Sequence, residues 1–349
     1  MQAQRTRRLE ELNYFNAVCC LLVVLIHILS LGVTQLDKGS WQLAVIYFPW
    51  NLSAFVVPGF LFTGAVKMAL GFHSSDGTPY LKYIWRRIKK IYLPYVAFVI
   101  VYYPIFVHFG IAQRSVRAFF SYLFVGNLSS HFYYIVIVMQ FYILMPLWRW
   151  MVKHVPWYAA LPVSAMVTLL MLKASAALGC IGITFKYSDR VFLSYLFFWV
   201  MGLYVGQNYE SFRTSLRQSR LPVLLSAAAV LVFSAVNYLQ YTKSTYVYDT
   251  GYLKLFSDAI SILVLLCLCT ALDSSPMERT KRVLGGVYKA SYSVYLSHSL
   301  FLTVGTIYLQ RLGVTDIALL LALRTVIAYT LPFALYFGYS KVKTLIIKH

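Results

Sequence analysis

The chain predicts an all-α polytopic membrane bundle of about ten transmembrane helices with both termini in the cytoplasm, and three observations predict it. Of 349 residues, 60% are hydrophobic and only 12% charged, a makeup far from that of a soluble domain. Apolar stretches of the ~20 residues needed to cross a ~30 Å hydrocarbon core recur along the whole chain. Lys and Arg alternate between dense and sparse loops, the asymmetry that orients membrane helices.

Spans are expected at 14–33, 42–66, 91–111, 132–148, 157–177, 191–207, 221–240, 252–272, 289–309 and 317–339. The first is preceded by Arg5, Arg7 and Arg8 and lacks a small-residue cleavage site, so it is expected to stay attached as an anchor. Residues 118–126 are apolar but too few to cross as a helix, and predict a re-entrant or interfacial piece. Of the 31 Lys and Arg, 20 fall on the side of the N-terminus, 9 on the opposite side, and Lys67 and Arg324 within or at the edge of spans. This bias places both termini inside. No internal repeat or low-complexity tract interrupts the chain, and residues 1–349 read as one domain with no appended soluble domain.

The net charge of +20 is explained by the same topology. The basic residues cap membrane helices and form no compact basic domain, so no nucleic-acid partner is expected. One cluster is denser than topology requires: Arg86, Arg87, Lys89 and Lys90 place four cations within five residues, enough to hold phosphates. Cys19, Cys20, Cys267 and Cys269 fall in spans and Cys180 in an outer loop, with no zinc or disulfide spacing, so neither a metal nor a disulfide is expected.

Four polar residues inside predicted spans stand out. His27 is the only ionisable group besides two cysteines in the apolar run 19–33. A titratable group in hydrocarbon costs several kcal/mol unless it faces a polar cavity or a partner. It lies thirteen residues into the first span, about 20 Å along the axis and toward the outer face; His298 lies about 15 Å into the ninth, near the midplane. Asp258 and Arg324 are set in the eighth and tenth. Each has a structural reading, a hydrogen bond to a neighbouring helix or an Asp258–Arg324 ion pair. Two histidines, an Asp and an Arg in separate spans also predict a shared polar cavity. His73, His108, His154 and His349 lie near interfaces or tails, where a solvated or structural role is expected.

Five segments carry a family resemblance. LNYFNAVCCLLVVLIH (12–27) resembles the first helix of the acyltransferase-3 family of integral membrane acyltransferases, with its histidine near the outer end. PGFLFTGAVKM (58–68), YLKYIWRRIKKIYLPY (80–95), HFYYIVIVMQFYILMPLW (131–148) and SYSVYLSHSLFL (291–302) are similar to further landmarks of that family, in the same order. The resemblance implies transfer of an acetyl or succinyl group from cytosolic acyl-CoA, a donor substrate and not a resident cofactor, to a hydroxyl of an extracytoplasmic or lipid-linked polysaccharide. It is most similar to the branch that modifies exopolysaccharides such as the poly-N-acetylglucosamine intercellular adhesin. The implied location is a bacterial plasma membrane. The chain departs from the pattern at Asn16, where the family has an Arg eleven positions before its histidine, and at Lys90, where a second Arg would follow Arg87.

The chemistry also follows from the residues. A neutral imidazole can take the proton of a sugar hydroxyl as it attacks a thioester, a step worth roughly 10²- to 10⁴-fold. His27 is the candidate base, or a nucleophile forming an acyl-imidazole. His298, with Asp258, is expected to orient it or line the passage, and Asn16 stands at the family's Arg position. Arg86, Arg87, Lys89 and Lys90 are expected to bind the phosphates of CoA, and His131, Asp258 and Arg324 to meet substrate. Two other functions fit the same composition: an exporter of polysaccharide or lipid-linked sugar, and a non-catalytic subunit of a polysaccharide assembly complex partnered by other biosynthetic membrane proteins.

Overall fold

The computed structural model describes residues 9–74, 79–180, 185–243 and 250–347. Arg5, Arg7, Arg8, His349 and the side chains of His73 and Cys180 lie outside what is described. Among the described residues there is no strand. The helices are α1 (Glu10–Gln35), α2 (Trp41–Leu52), α3 (Val56–Ser74), α4 (Tyr80–Arg87), α5 (Leu93–His108), α6 (Val116–Val125), α7 (Tyr133–Ile143) and α8 (Met145–His154). They continue with α9 (Trp157–Cys180), α10 (Leu196–Gln207), α11 (Tyr209–Gln218), α12 (Arg220–Leu225), α13 (Ala227–Lys243), α14 (Thr250–Asp273), α15 (Glu278–Arg311) and α16 (Ile317–Ile347). An all-helical chain is what hydrocarbon demands, because a helix satisfies its own backbone groups where no water can.

Among the described residues, seven helices or helix pairs are long and apolar enough to cross a membrane: Glu10–Gln35, Trp41–Phe72, Tyr80–His108, Trp157–Ala174, Arg220–Lys243, Tyr252–Asp273 and Ile317–Val342. The pair α7 and α8, bent by 58°, makes an eighth when taken as one span. The other two of the ten expected spans fall on Phe192–Gln207, a shorter apolar helix, and on α15. Hydropathy weakens at α15 for a physical reason. Residues Val294 to Ser299 are buried in unbroken succession, so over this stretch the helix is enclosed by protein on every side and has no need of a lipid-compatible surface. Residues 118–125 belong to α6, a helix of ten residues capped by Gly126, where a short piece was expected.

Proline and small residues set the local breaks. Pro49 sits inside α2, and Ser53 returns its hydroxyl to the Pro49 carbonyl at 2.7 Å just where α2 stops. A π-helical turn, Ile88–Tyr92, joins α4 to α5 immediately ahead of Pro94, which has no N–H to give the helix ladder. Pro146 in the first turn of α8 accounts for the bend after α7. There the indole of Trp148 donates to the carbonyl of Phe141 at 2.8 Å, satisfying an acceptor freed by the break.

The chain forms two compact units, residues 1–59 with 213–349, and residues 60–212. In the first, α1 packs on α2, α14, α15 and α16, and α15 lies against α16. Arg213 of α11 is buried there between two carboxylates, 2.9 Å from Glu11 at the start of α1 and 2.7 Å from Asp273 at the end of α14. In the second unit, α10 meets the backbone of α3 at Gly202 and Gly206. A Cβ at these positions would stand 2.4 Å from the Phe62 carbonyl oxygen and 2.7 Å from that of Val66. The spacing is the small-xxx-small pattern by which membrane helices approach closely.

Candidate functional site

The first unit brings three of the expected residues together. α1 presents His27, half-buried, against His298 of α15, which is fully buried. The ring centroids are 5.2 Å apart and tilted by 43°. Nδ1 of His298 lies 3.0 Å from the carbonyl of Val294, one turn earlier. Only a protonated Nδ1 can make that bond, so in the neutral ring the lone pair is on Nε2. The helix thereby fixes both tautomer and ring orientation. Tyr295 stands 6.4 Å from the same imidazole and stacks on Tyr292.

Arg324 of α16 completes the group from the other side. Its Nη2 donates to the His27 carbonyl at 2.8 Å, an oxygen that also accepts from the Ser30 hydroxyl at 3.0 Å. Its Nη1 donates to the Thr306 hydroxyl, and Thr306 donates on to the Leu302 carbonyl at 2.6 Å. Arg324 is 7% exposed, its Nε has no hydrogen-bond partner, and no carboxylate pairs with it among the described residues. A buried cation held by neutral oxygens alone is costly, and the cost falls when an anion arrives. Tyr329, donating to the Leu21 carbonyl at 2.8 Å, and Cys20, donating to the Ser291 carbonyl at 3.6 Å, bind α1 to α16 and α15 below this point.

Asn16 and Asp258 stand apart from it. Asn16 is buried on α1, eleven residues before His27 and so about 16 Å away along the axis. Asp258 pairs with Lys254, one turn earlier on α14, at 2.6 Å. The expected alternative of an Asp258–Arg324 ion pair is therefore corrected: each has other partners, because an i, i+4 lysine was available to the carboxylate and a carbonyl with a hydroxyl to the guanidinium.

The second unit holds the remaining candidates. Arg87 is half-buried, its guanidinium 4.5 Å from the ring centre of Tyr142 and 5.0 Å from that of Tyr83. Arg86, Lys89 and Lys90 are exposed, with Lys89 over the Trp85 ring at 5.1 Å. The basic stretch is thus one caged cation and three open ones. His131 is buried in the turn before α7, with Nδ1 3.1 Å from the Ser129 hydroxyl and its ring 4.3 Å from that of Phe132. That turn follows Gly126, whose φ of +70° ends α6 in the left-handed region. A Cβ there would lie 2.9 Å from the Phe132 carbonyl oxygen. His108 ends α5, and His154 ends α8 with Nδ1 2.8 Å from the Trp150 carbonyl.

Sequence reasoning missed the Thr306–Arg324–His27 chain, the Glu11–Arg213–Asp273 cluster and the Gly202/Gly206 contact. The last had a signal, glycines four apart in an apolar helix; the others join residues far apart in the chain and had none.

The fold is that of a multi-pass membrane helix bundle, and its first unit holds a histidine pair beside a buried guanidinium. Residues 9–339 match the acyltransferase-3 family, described as an acyltransferase domain, and the chain belongs to that family. It is 24% identical over 322 residues to the Bacillus subtilis (strain 168) protein named "Putative membrane-bound acyltransferase YfiQ", covering 87% of this chain and 84% of that one. It is 22% identical over 300 residues to the Staphylococcus epidermidis protein named "Probable poly-beta-1,6-N-acetyl-D-glucosamine export protein", covering 84% and 81%. The protein of the same name from Staphylococcus aureus (strain MSSA476) is 22% identical over 311 residues, covering 84% and 82%. No solved structure matches the chain significantly.

Proposed function

We propose that this multi-pass membrane protein is an O-acyltransferase that moves an acetyl or succinyl group from cytosolic acyl-CoA to a hydroxyl of an extracytoplasmic or lipid-linked polysaccharide. The observation that carries the reading is the His27–His298 contact, with His298 locked to the Val294 carbonyl and Arg324 fastened to the His27 backbone. His27 takes the proton of the acceptor hydroxyl as its oxygen attacks the thioester carbonyl. The C–O bond forms, the carbonyl electron pair moves to oxygen, and on collapse the C–S bond breaks and the thiolate takes from the His27 imidazolium the proton that His27 had accepted. Arg324, bonded to the His27 carbonyl, supplies positive charge to the developing oxyanion, the kind of preorganised electrostatics that enzymes use most. His298 holds the His27 ring in place.

Arg86, Lys89 and Lys90 meet the CoA phosphates, with Arg87 fixed between Tyr83 and Tyr142 as their anchor. His131 and Asp258 serve the acceptor. The loop-charge bias supports cytoplasmic termini in a bacterial plasma membrane. The family match runs through both units, in keeping with one working domain.

The names of the staphylococcal relatives favour a second reading, polysaccharide export. Purified protein in lipid, given radiolabelled acetyl- and succinyl-CoA with a glycan acceptor, separates the two. Transfer that falls roughly 10²- to 10⁴-fold in His27→Ala is the expected result. Glycan movement across the vesicle with no thioester cleavage, alike in native protein and variant, would overturn the enzyme.

A further inference from the structure

A cavity of about 40 Å³ lies between α2, α13 and α14, and none of the residues around His27 lines it. Its polar wall is Asn51, Asn237, Lys254, Ser257, Asp258 and Ser261. The side chains of Asn51 and Asn237 and the hydroxyl of Ser257 have no hydrogen-bond partner among the described residues. Asp258 is 7% exposed and already neutralised by Lys254, so the wall carries donors and acceptors with no net charge. Ser257 and Asp258 are buried and Asn51 and Asn237 half-buried, and polar groups left open together in this way are met by water or by a ligand.

The lining selects among ligands. A metal ion is disfavoured because the ammonium of Lys254 already holds the carboxylate, and an anion because that carboxylate stands in the wall. A hydrocarbon chain would strand the amides. What matches paired donors and acceptors without charge is an alcohol group, and the volume suits one hydroxyl with the carbon that carries it. Beside the two asparagines in sequence, Trp50 and Tyr238 pack on Tyr47 at 5.6 and 5.3 Å between ring centres. The indole N–H of Trp50 is buried without a partner.

We propose that this cavity is a binding subsite for a neutral, hydroxyl-bearing sugar unit of the acceptor, separate from the unit that reacts at His27. The proposal rests on the glycan-acceptor reading above. A second foothold of this kind sets the register of a polymer and holds the reacting hydroxyl near the base, using binding energy from a non-reacting part of the substrate.

The test uses the full chain in lipid nanodiscs and a fluorescent β-1,6-linked N-acetylglucosamine oligomer as probe, with acetyl-CoA binding measured alongside. In Asn51→Ala/Asn237→Ala the oligomer Kd is expected to rise about tenfold or more, for two lost hydrogen bonds, with the acetyl-CoA Kd held. If the double variant melts early, the isosteric Asn237→Asp is read instead, with an expected weakening of about threefold. Equal oligomer binding by native and variant proteins would show that the cavity holds water only, and would overturn the subsite while leaving the acceptor reading intact. No oligomer binding by native protein that still binds acetyl-CoA would overturn both.

Discussion

Arg324 shows what a single residue contributes that its neighbours cannot. A guanidinium can bond two acceptors in one plane and still present further N–H groups, whereas an ammonium of the same charge lacks the fork. Arg324→Lys is therefore expected to lower kcat by roughly 10²-fold, in the range found when one oxyanion donor is removed. Thr306→Val, which removes one neutral partner, is expected to cost about tenfold or less; steady-state kinetics on the two variants checks the order. At Asn16 the sequence puts a neutral amide where the family has a cation, and Asn16→Arg is expected to raise the transfer rate if that position meets donor phosphate or carbonyl; unchanged kcat/KM would show that it does not. His27, His298 and Arg324 were each visible in sequence as ionisable groups within apolar runs. Their grouping was not, since nothing local tells which faces of α1, α15 and α16 meet.

Among the elements, α10 and the α6–α7 turn are where packing leaves least room. Gly202→Leu would drive a side chain into the Phe62 carbonyl, and is expected to cost about 1–3 kcal/mol or prevent assembly, read as a lowered melting midpoint in detergent. Gly126→Ala forces an L residue to φ +70° ahead of the turn that carries His131, and is expected to cost about 1–2 kcal/mol. Helices were legible because hydrophobic length in a membrane protein leaves few alternatives. α15 is the instructive case. Its serines, tyrosines and histidine lower its hydropathy, and the buried ones between Val294 and Ser299 are tolerated where the helix packs against α1 and α16. The motif that marked it in sequence, SYSVYLSH, is the same polarity that hides it from a hydropathy criterion.

For the molecule as a whole, Arg213 is the clearest tie between distant parts of the chain. Removing it takes away the cation that both Glu11 and Asp273 pair with, and Arg213→Ala is expected to destabilise the first unit by about 3–5 kcal/mol. Arg213→Ala/Glu11→Gln is expected to recover part of that loss. Thermal unfolding of the variants in one detergent measures both.

Sequence by itself determined that the chain is a helical membrane protein, which segments are apolar, and which ionisable groups are set among them. These follow from composition and period, properties each segment carries alone. Tertiary structure decided the partners: that Asp258 goes to Lys254 and not Arg324, that Arg324 reaches the His27 carbonyl, and that a polar cavity opens between α2, α13 and α14. Those outcomes depend on the rotation of each helix about its own axis, which close packing between neighbours fixes and an apolar segment read singly does not.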